Sequence, residues 1–228
     1  MMGGSRRTNG RVRLASGLLF AAVCLLAVAG RAADENLSAL PRLSYSRFLK
    51  GSAPEYLAIT VDASGQATFD GRKEDDPPGP HQFKLSARTT RRLFQLAQAL
   101  GNFQSVDLES HKRVANLGLK TFTYENNGKK HQAEFNYTQR RDAQELVDWF
   151  ERIASVEQHI LSLEHAIKYD HLSLPEQLRQ IQIDLDKRAL ADPELMTPTL
   201  EKIARSPRFL HLAQSRAQDI LQRLHSNN

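Results

Sequence analysis

The sequence predicts an α+β fold: a small antiparallel sheet of about four or five strands with one or two packed helices, followed by an α-helical, bundle-like C-terminal region. Three observations support this prediction. Short segments of alternating apolar and polar residues are concentrated before residue 138, and an Asn-Gly pair typical of tight hairpins lies among them. After residue 138, apolar residues recur every three or four positions, which is the period of helices.

These patterns divide the chain into three segments. Residues 1–32 are predicted to be a signal peptide or an N-terminal anchor. Residues 40–137 are predicted to form an α+β sheet domain, and residues 138–228 a helical region packed on it. No repeat of fixed period is present in the sequence, so the helical region is expected to be a bundle rather than a solenoid.

The N-terminal segment has the three parts of a secretory signal. A positively charged start is followed by the apolar run 14–29 and by small residues, with two candidate cleavage sites at 27–29 and 30–32. The positive start contains Arg6, Arg7, Arg11 and Arg13. Cleavage is the favoured interpretation and an uncleaved anchor the alternative; both place the remainder outside the cytoplasm, in the periplasm by preference or secreted. Cys24 lies inside the apolar run rather than at its end, so lipidation is not expected.

Removal of this leader changes the charge of the protein. The chain has 31 basic and 26 acidic residues, and five of the basic residues, but no acidic residue, fall within 1–32. The processed chain therefore has no formal net charge, and a nucleic-acid partner inferred from overall basicity is excluded. The only cysteine is Cys24, so the processed fold is expected to be held by its core without a disulfide.

Alternation and turn residues predict the strands. The expected strands are 43–48, 56–61, 66–69, 81–85, 119–124 and 130–137. A turn over 62–65 should join the second and third strands, and the turn 126–128 should join the last two. Residues 70–80 contain three prolines and are expected to be a loop. Residues 102–117 show no regular pattern.

Helical periodicity predicts the remaining elements. A helix over 86–100 has an apolar stripe and Gly101 at its C-terminal cap. A long helix is expected over 139–168, and a capping box over 173–176 should begin the next. Further helices are expected to start at 192–193, 197–198 and 206–207. The apolar stripe of the last helix consists of Leu210, Ala213, Ala217, Ile220, Leu221 and Leu224.

Residues 43–153 resemble a family of exported bacterial domains of unknown function. The matching features are Pro54-Glu55-Tyr56 before a strand, Gly65 and Asp70-Gly71 in hairpin positions, the helix containing Leu93, and the hairpin 119–137. The family often carries a cysteine pair just before the Pro-x-Tyr motif. This chain has Gly51, Ser52 and Ala53 there, which removes any redox role. The resemblance implies no catalytic residues.

The ionisable residues do not form a recognisable cofactor or metal motif. His159, His165 and His171 are spaced six apart, whereas a helical metal pair needs a spacing of three or four. The acidic residues Asp70, Glu74, Asp75 and Asp76 are candidate calcium ligands, but they lack the alternating spacing of a calcium loop, and a solvated loop is the expected outcome. No metal and no cofactor is therefore predicted.

A basic group formed by Lys84, Arg88, Arg91 and Arg92 marks the start of the first predicted helix. It is a candidate for binding an anionic polymer or lipid headgroups, and a solvated face is the default expectation. Motifs for a serine or cysteine nucleophile and for phosphate binding are absent from the sequence.

The predicted function is a non-catalytic binding module of the cell envelope, with a protein or envelope component as partner and with membrane contact only if the leader is uncleaved. The face of the C-terminal helices, including the Leu210–Leu224 stripe, is the expected interaction surface, and a homodimer through it is one option. The alternative is an envelope hydrolase without a known motif. Its candidate residues are Asp70, His81, Asp107 and His111.

Overall fold

A computed structural model describes residues 40–73 and 75–226 of the protein. The predicted leader with Cys24, and Glu74 of the acidic group, lie outside the described residues. Among the described residues, no helix combines the length and apolarity that crossing a bilayer would require.

Six strands form one antiparallel sheet in the order β4-β3-β2-β1-β5-β6. The strands are β1 Arg42–Phe48, β2 Tyr56–Asp62, β3 Gln66–Arg72, β4 His81–Lys84, β5 Leu119–Asn126 and β6 Lys129–Phe135. The predicted α+β class is confirmed, and the sheet has six strands rather than four or five. All six expected strands join one sheet because β1 pairs with β2 on one side and with β5 on the other.

The two faces of the sheet have different environments. Residues such as Leu43, Ile59 and Phe122 are fully buried beneath the helices. Their neighbours along each strand, such as Ser44 and Thr60, remain partly accessible because successive side chains point to opposite faces. The sheet therefore has one helix-covered face and one open face.

The turn between β2 and β3 explains the tight hairpin. Asp62 Oδ1 accepts hydrogen bonds from the backbone N–H groups of Ser64 and Gln66, at 2.8 and 3.1 Å. Gly65 has φ +88°, and a Cβ there would lie 2.9 Å from the carbonyl oxygen of Leu85. β3 continues to Arg72, so the prediction that the loop begins at Asp70 is wrong: Asp70 pairs with Ala58 in the sheet.

The hairpin between β5 and β6 confirms its Asn-Gly turn. Asn127 and Gly128 have φ angles of 50° and 73°, as a two-residue hairpin turn of the favoured primed type requires. β6 ends at Phe135, so the prediction that this strand continues to Tyr137 is wrong.

The described residues also form five α-helices: α1 Ala87–Ala99, α2 Arg141–Tyr169, α3 Leu174–Asp186, α4 Thr197–Arg205 and α5 His211–Ser226. Ser86 caps α1 by accepting the N–H of Thr89, and Gly101 follows its end with φ +65°. Three single 3₁₀ turns lie at Gly101–Phe103, His171–Ser173 and Pro193–Met196.

Two predictions for the helical region are wrong. The capping box at 173–176 does not form, because the hydroxyl of Ser173 donates to the carbonyl oxygen of Asp170. The last helix begins at His211 rather than at Ser206-Pro207, which belong to a turn before it. Its apolar stripe is buried from Ala213 onward, whereas Leu210 is exposed.

The core consists of two groups of buried side chains, and α2 contributes to both. Its residues 143–154 pack with the sheet and α1, and its residues 156–166 pack with α3, α4 and α5. The first group has an aromatic centre in which Phe122 lies 5.2 to 6.4 Å, centroid to centroid, from four other rings. These rings are Tyr45, Phe103, Phe135 and Phe150.

Candidate functional site

The structure brings together two of the four residues proposed for a hydrolase. His111 Nε2 lies 2.8 Å from Asp107 Oδ2 in the irregular segment before β5, and both side chains are exposed. Their hydrogen bond lowers the pKa of Asp107 and raises the pKa of His111. An exposed ion pair of this kind is a common surface feature and does not create a sheltered reaction site.

The other two hydrolase candidates pair with residues that the sequence analysis did not select. Asp70 Oδ2 lies 3.1 Å from Arg72 Nε on the same strand. His81 Nδ1 lies 2.9 Å from Glu157 Oε2, which links the edge strand β4 to α2. His81 therefore pairs with Glu157 and with neither of the two candidate acids, Asp70 and Asp107.

Glu157 is the most unusual ionisable residue among those described. Its side chain is fully buried, and its Oε1 atom has no hydrogen-bond partner among the described residues. Burial raises the pKa of Glu157, and the hydrogen bond with His81 partly opposes this effect. A signal was present in the sequence, because Glu157 continues the spacing of Ile153, Ala154 and Ile160 on the apolar side of α2.

We expect Glu157→Gln to stabilise the protein at neutral pH by about 1 kcal/mol, because the variant buries no charge. The native state retains a proton on Glu157 at pH values where the unfolded chain, with a pKa near 4.5, has released it. Wild-type stability from this group is therefore lost as pH rises above about 4.5.

Urea unfolding at pH 4 and pH 7 measures this effect. The advantage of the variant should be present at pH 7 and nearly absent at pH 4. Glu194→Gln, which changes an exposed carboxyl, serves as the control and should show no such pH dependence. Equal stability of wild type and Glu157→Gln at both pH values would contradict the expectation.

The three histidines of α2 and the following turn serve separate contacts. His159 Nε2 lies 2.9 Å from Asp184 Oδ2 and links α2 to α3. His165 packs on the ring of Tyr169, and His171 packs edge-on against Phe209. Within residues 40–73 and 75–226, no three metal-ligating side chains converge on one point.

The acidic and basic groups singled out in the sequence are also dispersed. Asp76 accepts the backbone N–H of Lys73, while Asp70 lies in β3. Of the basic group, Arg92 binds Glu145 through Nε at 3.0 Å. Lys84 and Arg88 instead line an open cleft of about 590 Å³, which also contains Asp192 and Glu194. The mixed charges of this cleft do not form a continuous anion-binding patch.

A second polar group lies where the sheet meets α2. The buried hydroxyl of Tyr45 donates to Glu151 Oε1 at 2.7 Å, and Arg47 Nη1 lies 3.3 Å from the same oxygen. Burial, reinforced by Glu151, raises the pKa of Tyr45. Lys120 Nζ donates to three backbone carbonyls, and its burial lowers its pKa. The contacts with Glu151 hold β1 to α2, and those of Lys120 link the start of β5 to the segment after β6.

The clearest candidate binding surface is an exposed apolar group at the end of the helical region. We call Tyr169, Leu172, Leu210 and Leu212 the apolar corner. Their exposed fractions are 66%, 77%, 49% and 52%, respectively. Large side chains of this kind that are exposed together on a folded surface typically mark a contact site.

Two contacts bring the segments of the apolar corner together. His171, beside Leu172, packs against Phe209, beside Leu210, with ring centroids 5.1 Å apart. In addition, a guanidinium nitrogen of Arg216, one helical turn after Leu212, donates to the carbonyl oxygen of Pro175. The end of α2 and the beginnings of α3 and α5 thus form one corner.

Basic side chains border the apolar corner. Lys168 Nζ lies 4.9 Å from the ring centroid of Tyr169. A shallow groove of about 440 Å³ beside it is lined by Ile167 and Phe209 together with the basic residues Lys168, Lys202 and Arg208 and with Glu164 and Ser206. An apolar centre with a polar, mainly basic border resembles the organisation of protein interfaces.

Comparison with known proteins adds one finding for the sheet domain. No curated protein matches the chain. The region of similarity to a known family extends from just after β1 into α2, and it overlaps most of the segment whose resemblance was noted in the sequence. It leaves α3, α4 and α5 outside. Residues 50–157 match the family model of a domain of unknown function, DUF6438.

Proposed function

We propose that this protein is an exported, non-catalytic binding module of the cell envelope and that its apolar corner docks a protein partner. The observation that carries the proposal is the exposure of Tyr169, Leu172, Leu210 and Leu212 at the end of α2, in the 3₁₀ turn after it and at the start of α5, next to the buried side chains of the helical region. The buried side chains fix the backbone of these segments, so little conformational entropy is lost when a partner covers the exposed side chains.

The border of the corner indicates the chemistry of the partner. Lys168, Lys202 and Arg208 surround the adjoining groove with only Glu164 in opposition. A partner with apolar side chains and a surplus of acidic residues would complement this surface. Export is supported by the charged start, apolar run and small residues of the N-terminal segment.

Site-directed cross-linking tests the docking surface. Cys24 is the only native cysteine and lies in the predicted leader, so Leu172→Cys introduces a single thiol into the processed chain. A photoreactive maleimide on this thiol should form one adduct of defined mass in envelope preparations. The matched control is Leu161→Cys, which places the label on an exposed leucine of α2 outside the corner and should give no such adduct.

A third variant distinguishes docking from random collision. Leu210→Asp should abolish the adduct formed at position 172, because a carboxylate would have to be desolvated in the interface. Equal labelling from positions 161 and 172 would contradict the proposal. An adduct between two copies of this chain would show that the corner forms a homodimer instead of binding a different protein.

The predicted compartment has its own test. In fractionated host cells, the protein should be found in the envelope or periplasmic fraction, shortened by about 30 residues at its N-terminus. Intact protein in the cytosol would overturn the export part of the proposal and leave the docking experiment interpretable.

A second candidate function rests on the His81–Glu157 pair. A buried carboxylate that holds an imidazole, itself about one third exposed, is the arrangement used to orient a general base. An envelope hydrolase would therefore act through His81. Turnover of an ester, peptide or glycan substrate that is abolished by His81→Ala and retained by His111→Ala would establish this alternative.

A further inference from the structure

The open face of the sheet has an uncharged centre. On β5, β1 and β2 the register aligns nine open-face residues in three rows of three. The rows are Leu119–Phe48–Tyr56, Thr121–Ser46–Ala58 and Thr123–Ser44–Thr60. We call these nine residues the neutral grid. Its first row is apolar, and the other two consist of small side chains, five of the six being hydroxyl-bearing.

The third row of the neutral grid continues across the whole sheet. The registers join Thr123 to Gln132 on β6, and Thr60 to Thr68 on β3, which in turn pairs with Gln82 on β4. All six strands thus place an uncharged hydrogen-bonding side chain in one row. With neighbouring strands about 4.8 Å apart, the row is about 24 Å long.

The side chains of this row remain available to a ligand. Ser44 Oγ and Thr60 Oγ1 are 2.9 Å apart and share one hydrogen bond. The second hydroxyl hydrogen and the remaining lone pairs of the two oxygens stay available to a ligand. The four central residues are partly accessible, and Gln82 and Gln132 are exposed. A hydroxyl or amide accepts and donates without the desolvation cost of a charged group.

Charged residues surround the neutral grid with balanced signs. Arg42 pairs in register with Glu125 and Asp62 beyond the third row. On the outer strands, the same face contains Asp70, Arg72, Lys84, Lys130 and Glu134. Because positive and negative groups alternate around the border, the surface has no net attraction for a polyanion or a polycation.

From this arrangement we infer that the open face binds a neutral glycan chain, independently of the apolar corner. A sugar presents C–H groups on its faces and hydroxyl groups at its edges. The apolar row receives the C–H faces at Leu119 and Phe48, because the guanidinium of Arg72 lies over the ring of Tyr56. The parallel rows of hydroxyl and amide groups bind the sugar hydroxyls. The 24 Å row accommodates an extended chain of several sugar units.

A second protein surface fits this face less well. Centres of protein interfaces, and homodimer interfaces above all, are rich in large apolar side chains. Two of the three rows of the neutral grid contain only serine, threonine and alanine. Each hydroxyl group of the grid that another protein buried would need a hydrogen-bond partner on that protein. A glycan has hydroxyl groups along its whole length and can supply these partners.

Titration calorimetry with oligosaccharides of one length tests the inference. We expect saturable binding of the purified protein to chitohexaose or cellohexaose, which are neutral, and none to hexagalacturonate, which is anionic. Thr60→Lys places a long side chain over the centre of the row and should weaken binding by about tenfold or more. Gln66→Lys adds the same charge on the same face outside the grid and should change binding by less than about twofold.

Folding and self-association are measured on the same samples. Thr60→Lys and Gln66→Lys should retain wild-type melting temperatures, and Phe48→Ala should weaken binding through the apolar row. No binding to either neutral hexamer, equal binding to hexagalacturonate, or undiminished binding by Thr60→Lys would each overturn the inference. So would a dimer in sedimentation velocity that Thr60→Lys dissociates. None of these results bears on cross-linking at Leu172.

Discussion

Phe122→Ala is expected to lower the free energy of unfolding by about 3–5 kcal/mol, the largest effect of any single substitution considered. Phe122 is fully buried on β5 and packs against Tyr45, Phe103, Phe135 and Phe150. Alanine would leave a cavity bordered by rings on two strands, one helix and one turn, which cannot all move inward.

Urea denaturation measures the loss as a lower midpoint with an unchanged slope. Phe94→Ala is the control: Phe94 is partly buried on α1 and makes one edge-on ring contact, with Tyr124. We expect Phe94→Ala to lower the free energy of unfolding by about 1–2 kcal/mol. If Phe122→Ala does not fold, Phe122→Leu provides the measurement, with a loss of about 1–2 kcal/mol. A loss at position 122 no greater than that at position 94 would contradict the aromatic core.

Asp192→Ala is expected to lower the free energy of unfolding by about 2 kcal/mol and to loosen the first turn of α1. The carboxylate of Asp192 lies just before the 3₁₀ turn Pro193–Met196 and accepts three hydrogen bonds at the N-terminus of α1. The donors are the N–H of Ser86 at 2.6 Å, the hydroxyl of Ser86 at 2.9 Å and the hydroxyl of Thr89 at 2.6 Å.

The position of the charge strengthens this effect. The first turn of α1 contains no acidic residue of its own, so Asp192 supplies the negative charge that a helix N-terminus favours. It also joins the helical region to the helix that covers the sheet. Removing the carboxylate leaves polar groups of Ser86 and Thr89 without their acceptor.

Hydrogen exchange at the first amides of α1, together with urea unfolding, measures the change. Asp192→Asn should lower the free energy of unfolding by about half as much as Asp192→Ala. Asparagine retains an acceptor oxygen and tolerates the left-handed φ of 53° at this position. Glu194→Ala removes a carboxyl from the same cleft and should change stability by less than about 0.5 kcal/mol. Faster exchange throughout the protein, rather than at α1, would argue against a local cap.

Local chemistry made several elements predictable. Asp62 and Gly65 define one hairpin turn, and Asn127-Gly128 defines the other, because the required φ angles depend on only a few neighbouring residues. Ser86 and Gly101 mark the ends of α1 for the same reason. The long helix α2 was evident from its periodicity over many turns.

The errors arose where contacts between distant residues prevailed. On α2 the apolar Leu161 is exposed, whereas the ionisable Glu157 is buried. The capping motif at Ser173 is replaced by a bond to Asp170, because a 3₁₀ turn already occupies that junction. Asp70 extends β3 because Ala58 is available to pair with it.

The sequence alone determined the α+β class, the two hairpin turns and the extent of the long helix, since these depend on interactions between residues close in the chain. Only the tertiary structure decided that β1 lies in the middle of the sheet and that His171 packs against Phe209, which brings the segments of Leu172 and Leu210 together. It also decided that His81 joins Glu157, 76 residues away, and that Asp192 caps a helix 106 residues before it. These choices follow from packing and charge pairing between remote segments, which neither composition nor periodicity records.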